Sequence, residues 1–130
     1  MSRVLIVDDE ESICWALRRL ATEEGHQVDV ASSAEEGLSC AAARSPDLVL
    51  LDIRLPGIDG LSAMKRFRAL VGSAPIVVMT AFGSLDTAVR ALANGAFEYL
   101  IKPFDLDQAA AVVGRALALG SDSAGRRAPR

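Results

Sequence analysis

The sequence predicts an α/β fold, a doubly wound parallel sheet of five strands covered by helices on both faces. Short apolar runs alternate with segments of helical period along almost the whole chain. Most of the runs lack polar alternation, as strands buried on both faces do. Four of them end on a chemically capable polar residue, where the crevice of an open parallel sheet lies.

The first strand runs from Arg3 to Val7 (RVLIV) and leads into Asp8, Asp9, Glu10 and Glu11. Ile13, Ala16, Leu17, Leu20 and Ala21 then recur at helical spacing, and Gly25 supplies the stop. Gln27 to Ala31 (QVDVA) alternates as a second strand. Ser33 and Glu36 form a capping box for a helix through Gly37, Leu38, Ala41 and Ala42 toward Ser45-Pro46. Leu48 to Asp52 (LVLLD) is the third strand, followed by the Pro56-Gly57 turn and Asp59-Gly60. The third helix covers Gly60 to Leu70 with Leu61, Met64 and Phe67.

Pro75 precedes the fourth strand, Ile76 to Met79 (IVVM), which ends on Thr80. Ser84 caps a helix whose Leu85, Ala88, Val89 and Leu92 share one face, and Asn94-Gly95 closes it. Phe97 to Ile101 is the fifth strand, followed by Lys102-Pro103. Asp105 with Gln108 starts the last helix, striped by Leu106, Ala109, Ala110, Val113 and Leu117. Right-handed crossovers favour the flavodoxin-like (βα)5 strand order 2-1-3-4-5. From Gly120 the apolar period ends, which divides the chain into a domain over 1–119 and a linker or tail over 120–130.

Bulk properties exclude several classes of function. The 130 residues suffice for one domain with a real core, at 51% hydrophobic and 24% charged. A net charge of −3 argues against a domain that binds nucleic-acid backbone directly. No apolar stretch approaches the roughly 18 residues of a membrane span, and the N-terminus lacks a signal-peptide layout. Cys14 and Cys40 are far apart and read as buried thiols of a cytoplasmic protein. His26 is the single histidine, so histidine triads and multi-histidine metal sites are excluded.

The strand ends carry the chemistry. The first delivers Asp8 and Asp9, the third Asp52, the fourth Thr80 and the fifth Lys102, all to one edge of a parallel sheet. Crowded carboxylates repel, and a bound cation relieves them; oxygen ligands with room for water suit Mg²⁺, or Mn²⁺ in its place. Such a site is built for a phosphoryl group. Asp52 would act as nucleophile, Lys102 would pair one phosphoryl oxygen, and the Thr80 hydroxyl would bond another. Taken singly, Asp52 reads as a loop cap, Thr80 as a strand-end hydroxyl, and Lys102 as a surface lysine beside a turn. Glu10 and Glu11 read as a solvated acidic helix start. Joint occurrence at separate strand ends carries the phosphoryl reading.

The segments VDDE (Val7 to Glu10), LLDIRLPGIDG (Leu50 to Gly60), MTA (Met79 to Ala81) and YLIKPF (Tyr99 to Phe104) resemble the receiver domain of two-component response regulators. The resemblance covers about Arg3 to Leu119. It implies that Asp52 is the phosphoacceptor, taking its phosphoryl group from a histidine of a partner sensor kinase. It implies Mg²⁺ held by Asp9, Asp52 and the backbone carbonyl of Arg54, with Asp8 acting mainly through water. The backbone N–H of Ala81 would join Thr80 and Lys102 around the phosphoryl group, and Lys102-Pro103 would be a cis peptide. Thr80 and Tyr99 would form a switch that remodels the face of the fourth helix, fifth strand and fifth helix. The reading for Tyr99 from the residues alone is a half-buried strand aromatic.

Ser12 to Leu17, Met79 to Val89 and Gly95 to Asp105 look most like NtrC-type regulators. There the receiver precedes a sigma-54-interacting AAA+ ATPase and a DNA-binding helix-turn-helix. Neither is found here, so transcription regulation would belong to domains outside this sequence. A stand-alone receiver that relays phosphate or binds a partner is the alternative, and a phosphorylation-dependent homodimer fits either. Phe82 departs from the family's usual smaller or polar side chain; with Arg54 it would flank the attacking water, and its bulk would slow self-hydrolysis. An aspartyl-nucleophile phosphohydrolase would carry a second Asp two residues after an acid on the first strand, whereas Glu10 follows Asp8. Neither a Gly-rich phosphate loop after the first strand nor a Walker lysine is present, which argues against a nucleotide or flavin binder on the same fold.

Overall fold

The computed structural model describes residues 2–81 and 85–127, residues 120–127 as backbone alone. Strands β1 (Arg3–Val7), β2 (Gln27–Ala31), β3 (Leu48–Asp52), β4 (Ile76–Ala81) and β5 (Glu98–Lys102) alternate with helices α1 (Glu11–Glu23), α2 (Ala34–Ala43), α3 (Gly60–Val71), α4 (Leu85–Ala93) and α5 (Leu106–Arg127). The strands pair in the order β2-β1-β3-β4-β5, every pair parallel. This is the flavodoxin-like order. β3, at the centre, is buried at every position, which explains its uninterrupted apolar run. β2 lies at an edge and buries only its last residue fully, which explains the polar Gln27 and Asp29.

Alternation along the strands builds two cores. Val4, Ile6, Leu48, Leu50, Val77, Met79 and Leu100 face α1 and α5. Leu5, Val7, Val49, Leu51, Ile76 and Val78 face α2, α3 and α4, with Phe67 and Met64 filling the space between. β4 and β5 each run slightly further than their apolar pattern, so Thr80 and Lys102 are strand residues.

The helix boundaries follow local chemistry. Ser33 Oγ accepts the Glu36 N–H at 3.1 Å, and Glu36 reaches back to the Ser32 N–H at 3.3 Å. Asp105 Oδ1 accepts the Gln108 N–H at 2.7 Å. Gly25 and Gly95 take positive φ after α1 and α4. The expected cap Ser84 lies outside the described residues. α4 differs from its sequence pattern: Ala88 and Ala91 are buried, whereas Leu85 and Val89 are each more than half-exposed or close to it. Small residues let the α4 backbone approach the sheet, and the larger apolar residues are left at its rim. α5 continues past Leu119 to Arg127.

One glycine fixes where α3 begins. A Cβ on Gly60 would overlap the Ile53 carbonyl and lie 2.7 Å from Ile53 Cβ, so only glycine lets α3 start directly against the loop after Asp52. Gly60→Ala should therefore destabilise the domain by about 1–3 kcal/mol through backbone displacement. Gly114→Ala, at an exposed position of α5 with nothing within 4 Å of the new methyl, should stabilise it by about 0.5–1 kcal/mol. Urea unfolding of the two variants checks both signs.

Candidate functional site

Asp8 and Asp52 are held by the same local device. Asp8 follows β1 and accepts the Glu10 N–H on Oδ1 at 2.8 Å; Asp52 ends β3 and accepts the Arg54 N–H on Oδ1 at 2.8 Å. Each bond spans two residues, the Asx geometry that short acids adopt at strand ends. One oxygen of each carboxylate is thus spent on the loop, and the other turns inward. Both residues are buried, at 1% and 5% exposure.

Lys102, from the far end of the sheet, meets these inward oxygens. Its Nζ lies 2.7 Å from Asp8 Oδ2, 3.1 Å from Asp52 Oδ2 and 3.0 Å from Glu10 Oε1. The Lys102–Pro103 peptide is cis. The lysine side chain is only 13% exposed, so these contacts form largely out of water. Asp8 Oδ2 receives no hydrogen bond of good angle, although the ammonium compensates its charge at short range.

Burial raises the Asp8 pKa above the usual carboxylate value; Lys102 and the Glu10 N–H partly offset this, while the Asp52 charge adds to it. Burial alone would lower the Lys102 pKa. Its bonds to Asp8 and Glu10 and the charges of Asp52 and Asp8 outweigh that, so the ammonium is held. One ammonium among three carboxylates leaves negative charge in excess. The acidic oxygens of Asp8, Glu10 and Asp52 lie within 4.8 Å of one another. These hard oxygen donors, with one buried oxygen lacking a hydrogen bond, fit a divalent cation such as Mg²⁺.

The other expected residues fall around this centre. Thr80 is fully buried on β4, one position after Met79, which pairs with Asp52. Its hydroxyl lies 3.5 Å from the Ala81 carbonyl oxygen, which accepts from it. Ala81 closes β4 opposite Lys102. Tyr99 is half-buried on β5 opposite Val78, packed on the core beneath α3 and α4. Arg54 lies in the loop after β3 with its side chain exposed and its amide on Asp52. Asp9 is exposed and does not join the carboxylates around Lys102. Phe82 lies outside the described residues.

Two participants were not legible in the sequence as such. Glu10, expected as a solvated helix start, binds Lys102, ninety-two positions away. No local pattern signals such a pairing, although the third acid of the Asp8-Asp9-Glu10 run is its visible trace. Cys14, expected as a buried thiol, is buried, but it also donates its S–H to the Asp8 carbonyl at 3.2 Å. Burial, with the Asp8 charge next, pushes its pKa up to about 11, so the donor proton stays on sulfur at neutral pH. Cys14, Asp8 and Asp9 line a cleft of about 320 Å³ together with Trp15, Arg18 and Glu36.

Comparison with known proteins identifies the family of the chain. The family profile of the response regulator receiver domain matches residues 4–113. The DNA-binding transcriptional regulator NtrC of Klebsiella pneumoniae is 45% identical over 112 residues, covering 86% of this chain and 24% of that protein. The regulatory protein AtoC of Escherichia coli is 42% identical over 121 residues, covering 93% and 26%. The chain thus spans about a quarter of the length of the curated relatives it matches. Among solved structures, NtrX from Brucella abortus superimposes with a TM-score of 0.92 at 32% identity, covering 99% of this chain and 29% of that one. The isolated NtrX receiver domain from the same organism gives 0.84 at 35% identity, covering 88% and 98%. Among the described residues no helix is long and apolar enough to cross a membrane. With the family profile matched over residues 4–113 and NtrC-type regulators among its relatives, the chain belongs to the response regulator receiver domain family, a signalling domain.

Proposed function

We propose that Asp52 accepts a phosphoryl group from a histidine of a sensor kinase, in a reaction that needs Mg²⁺, and that the gain of charge switches the α4-β5-α5 face. The observation that carries this reading is the Asp52 carboxylate itself. Its Oδ1 is tied to the Arg54 N–H, and its buried Oδ2 lies 3.1 Å from Lys102 Nζ, which also holds Asp8 Oδ2. Oδ2 attacks phosphorus as the P–N bond of the donor phosphohistidine breaks; the departing imidazole keeps the electron pair and takes a proton from solvent. A carboxylate nucleophile carries no proton to remove, so no general base is required.

Lys102 would pair one phosphoryl oxygen, and the Thr80 hydroxyl and Ala81 N–H would donate to others. Asp9, Asp52 and the Arg54 carbonyl would hold Mg²⁺, with Asp8 acting through water; Mn²⁺ has the same ligand preferences. The bound cation would supply charge neutralisation between the carboxylate and the incoming phosphate. Acting on its own aspartate alone, the domain is not an enzyme with a turned-over substrate.

For the switch, Thr80 and Tyr99 follow the same face of β4 and β5 that α4 covers. Drawing Thr80 toward the phosphoryl group would free space for the Tyr99 ring and shift α4, whose Leu85 and Val89 are already exposed. The partner of that face would be an output domain, an AAA+ ATPase joined to a DNA-binding domain, or a second copy of this domain on phosphorylation. Residues 1–119 would form the receiver and 120–130 the connection to such an output, in a cytoplasmic protein. The domain would then have no direct contact with nucleic acid or membrane.

Incubation with acetyl phosphate and Mg²⁺, followed by intact-mass spectrometry, tests the chemistry. The expected result is one phosphoryl adduct, lost in Asp52→Asn and lost when Mg²⁺ is chelated; an adduct that survives Asp52→Asn contradicts the assignment.

A second expectation concerns stability. Because the Asp8 pKa is raised on folding, the charged carboxylate costs stability above that pKa, and the cost disappears as pH falls through it. Asp8→Asn should therefore stabilise the metal-free domain at neutral pH by on the order of 1 kcal/mol. The gain should fade on acidification, starting above the ordinary Asp range. Urea unfolding at neutral and acidic pH measures it.

A further inference from the structure

The turn that carries Asp8, Asp9 and Glu10 has to hold its acids still, yet α1 begins there without a side-chain cap, since the Glu10 side chain makes no capping bond. Restraint comes from inside the fold. The Asp8 N–H bonds the Ala31 carbonyl at 3.0 Å, which fixes the turn to the end of β2. The Asp8 carbonyl accepts the Cys14 S–H at 3.2 Å, and the Cys14 N–H bonds the Glu10 carbonyl at 3.1 Å. Cys14 thus grips the turn on both sides of Asp9. It does so from the α1 side of the core, packed with Val4, Ile6 and Leu17 and only 8% exposed.

We infer that Cys14 is a positioning residue for the acid turn, holding the Asp8 carbonyl through its thiol so that the Asp8 and Asp9 carboxylates stay set for a divalent cation. The inference rests on the reading of these acids as the Mg²⁺ site. Several features support it. A peptide carbonyl facing the core needs a donor, because an unsatisfied one is costly. No water is required to supply that donor, since the thiol occupies the place. The protonated thiol suits the role better than a charged donor, because it adds no cation to compete with the metal for the nearby carboxylates. Its bond leaves both carboxylate oxygens of Asp8 untouched: Oδ1 goes to Glu10 and Oδ2 faces Lys102. A core cysteine chosen for volume alone would need no polar contact, and alanine or valine could replace it.

The test compares Cys14→Ala, which removes the donor, with Cys14→Ser, which keeps one of similar size. Mg²⁺ affinity of the unphosphorylated domain is read by isothermal titration calorimetry, beside urea unfolding of each variant. The expected result is a fall in Mg²⁺ affinity of about three- to tenfold in Cys14→Ala, at the low end for partners behind a metal ligand because S–H is a weak donor. Cys14→Ser should restore most of it, even if its unfolding midpoint falls as low as that of Cys14→Ala. Unchanged affinity in a folded Cys14→Ala, or equal losses in both variants, would overturn the inference and leave Cys14 a packing residue. If the unsubstituted domain binds no Mg²⁺, the reading of the metal site fails and the inference fails with it.

Discussion

The functional site depends on a single ammonium set among three carboxylates. Lys102 is delivered by β5, Asp8 by β1 and Asp52 by β3, and only a parallel sheet with β3 between β1 and β4 brings those strand ends to one edge. In water these charges would remain solvated and apart. Here burial strips much of that solvation from Asp8, Asp52 and Lys102; the three carboxylates hold the ammonium, and the ammonium partly offsets the cost of burying the Asp8 charge. Compensation is incomplete, because one positive charge faces three negative ones. That surplus suits a divalent cation, which in the proposed reaction would neutralise charge between the carboxylate and the incoming phosphate.

The same constraint explains the local backbone. A carboxylate that reacts must present one oxygen and keep the other fixed, or rotation about its Cα–Cβ and Cβ–Cγ bonds would blur the geometry of attack. Asp52, the proposed nucleophile, meets this by giving Oδ1 to the amide two residues on, and Asp8 is held by the same kind of bond. The loop after Asp52 then has to turn back at once to let α3 start against it. Gly60 permits that close approach to Ile53, and Asp59 caps the helix by accepting the Ser62 N–H at 3.4 Å. Packing behind the site is dense: Val7, Leu51 and Val78 are fully buried beneath α2, α3 and α4. In the proposed switch, a rigid floor of this kind would let a change at Thr80 be passed to a neighbouring helix rather than dissipated.

Much of this was legible in the residues. Five apolar runs punctuated by turn residues foretold the strands, and the crossover rule gave their order. The convergence of Asp8, Asp52, Thr80 and Lys102 at one edge followed from topology alone, because parallel strands end on the same side. What the sequence could not carry is side-chain choice within that edge. Asp9 and Glu10 are adjacent acids, and nothing in the order of letters says that Glu10 rather than Asp9 turns toward Lys102. Likewise Cys14 has the apolar spacing of a core residue, and its bond to the Asp8 carbonyl depends on a turn geometry that periodicity does not encode. On α4, helical spacing grouped Leu85 and Val89 with Ala88, whereas contact with the sheet selected the alanines. Period reports which residues share a face; depth of burial is decided by how near two backbones can come.

The most direct test of the central claim is to locate the phosphoryl group chemically. The domain is phosphorylated in the presence of Mg²⁺ and reduced with borohydride, which converts an aspartyl phosphate to homoserine, and is then digested and sequenced by mass spectrometry. The account predicts homoserine at position 52 and at no other acid, in proportion to the phosphorylation achieved. Homoserine at Asp8, Asp9 or Asp59 instead, with Asp52 intact, would contradict it.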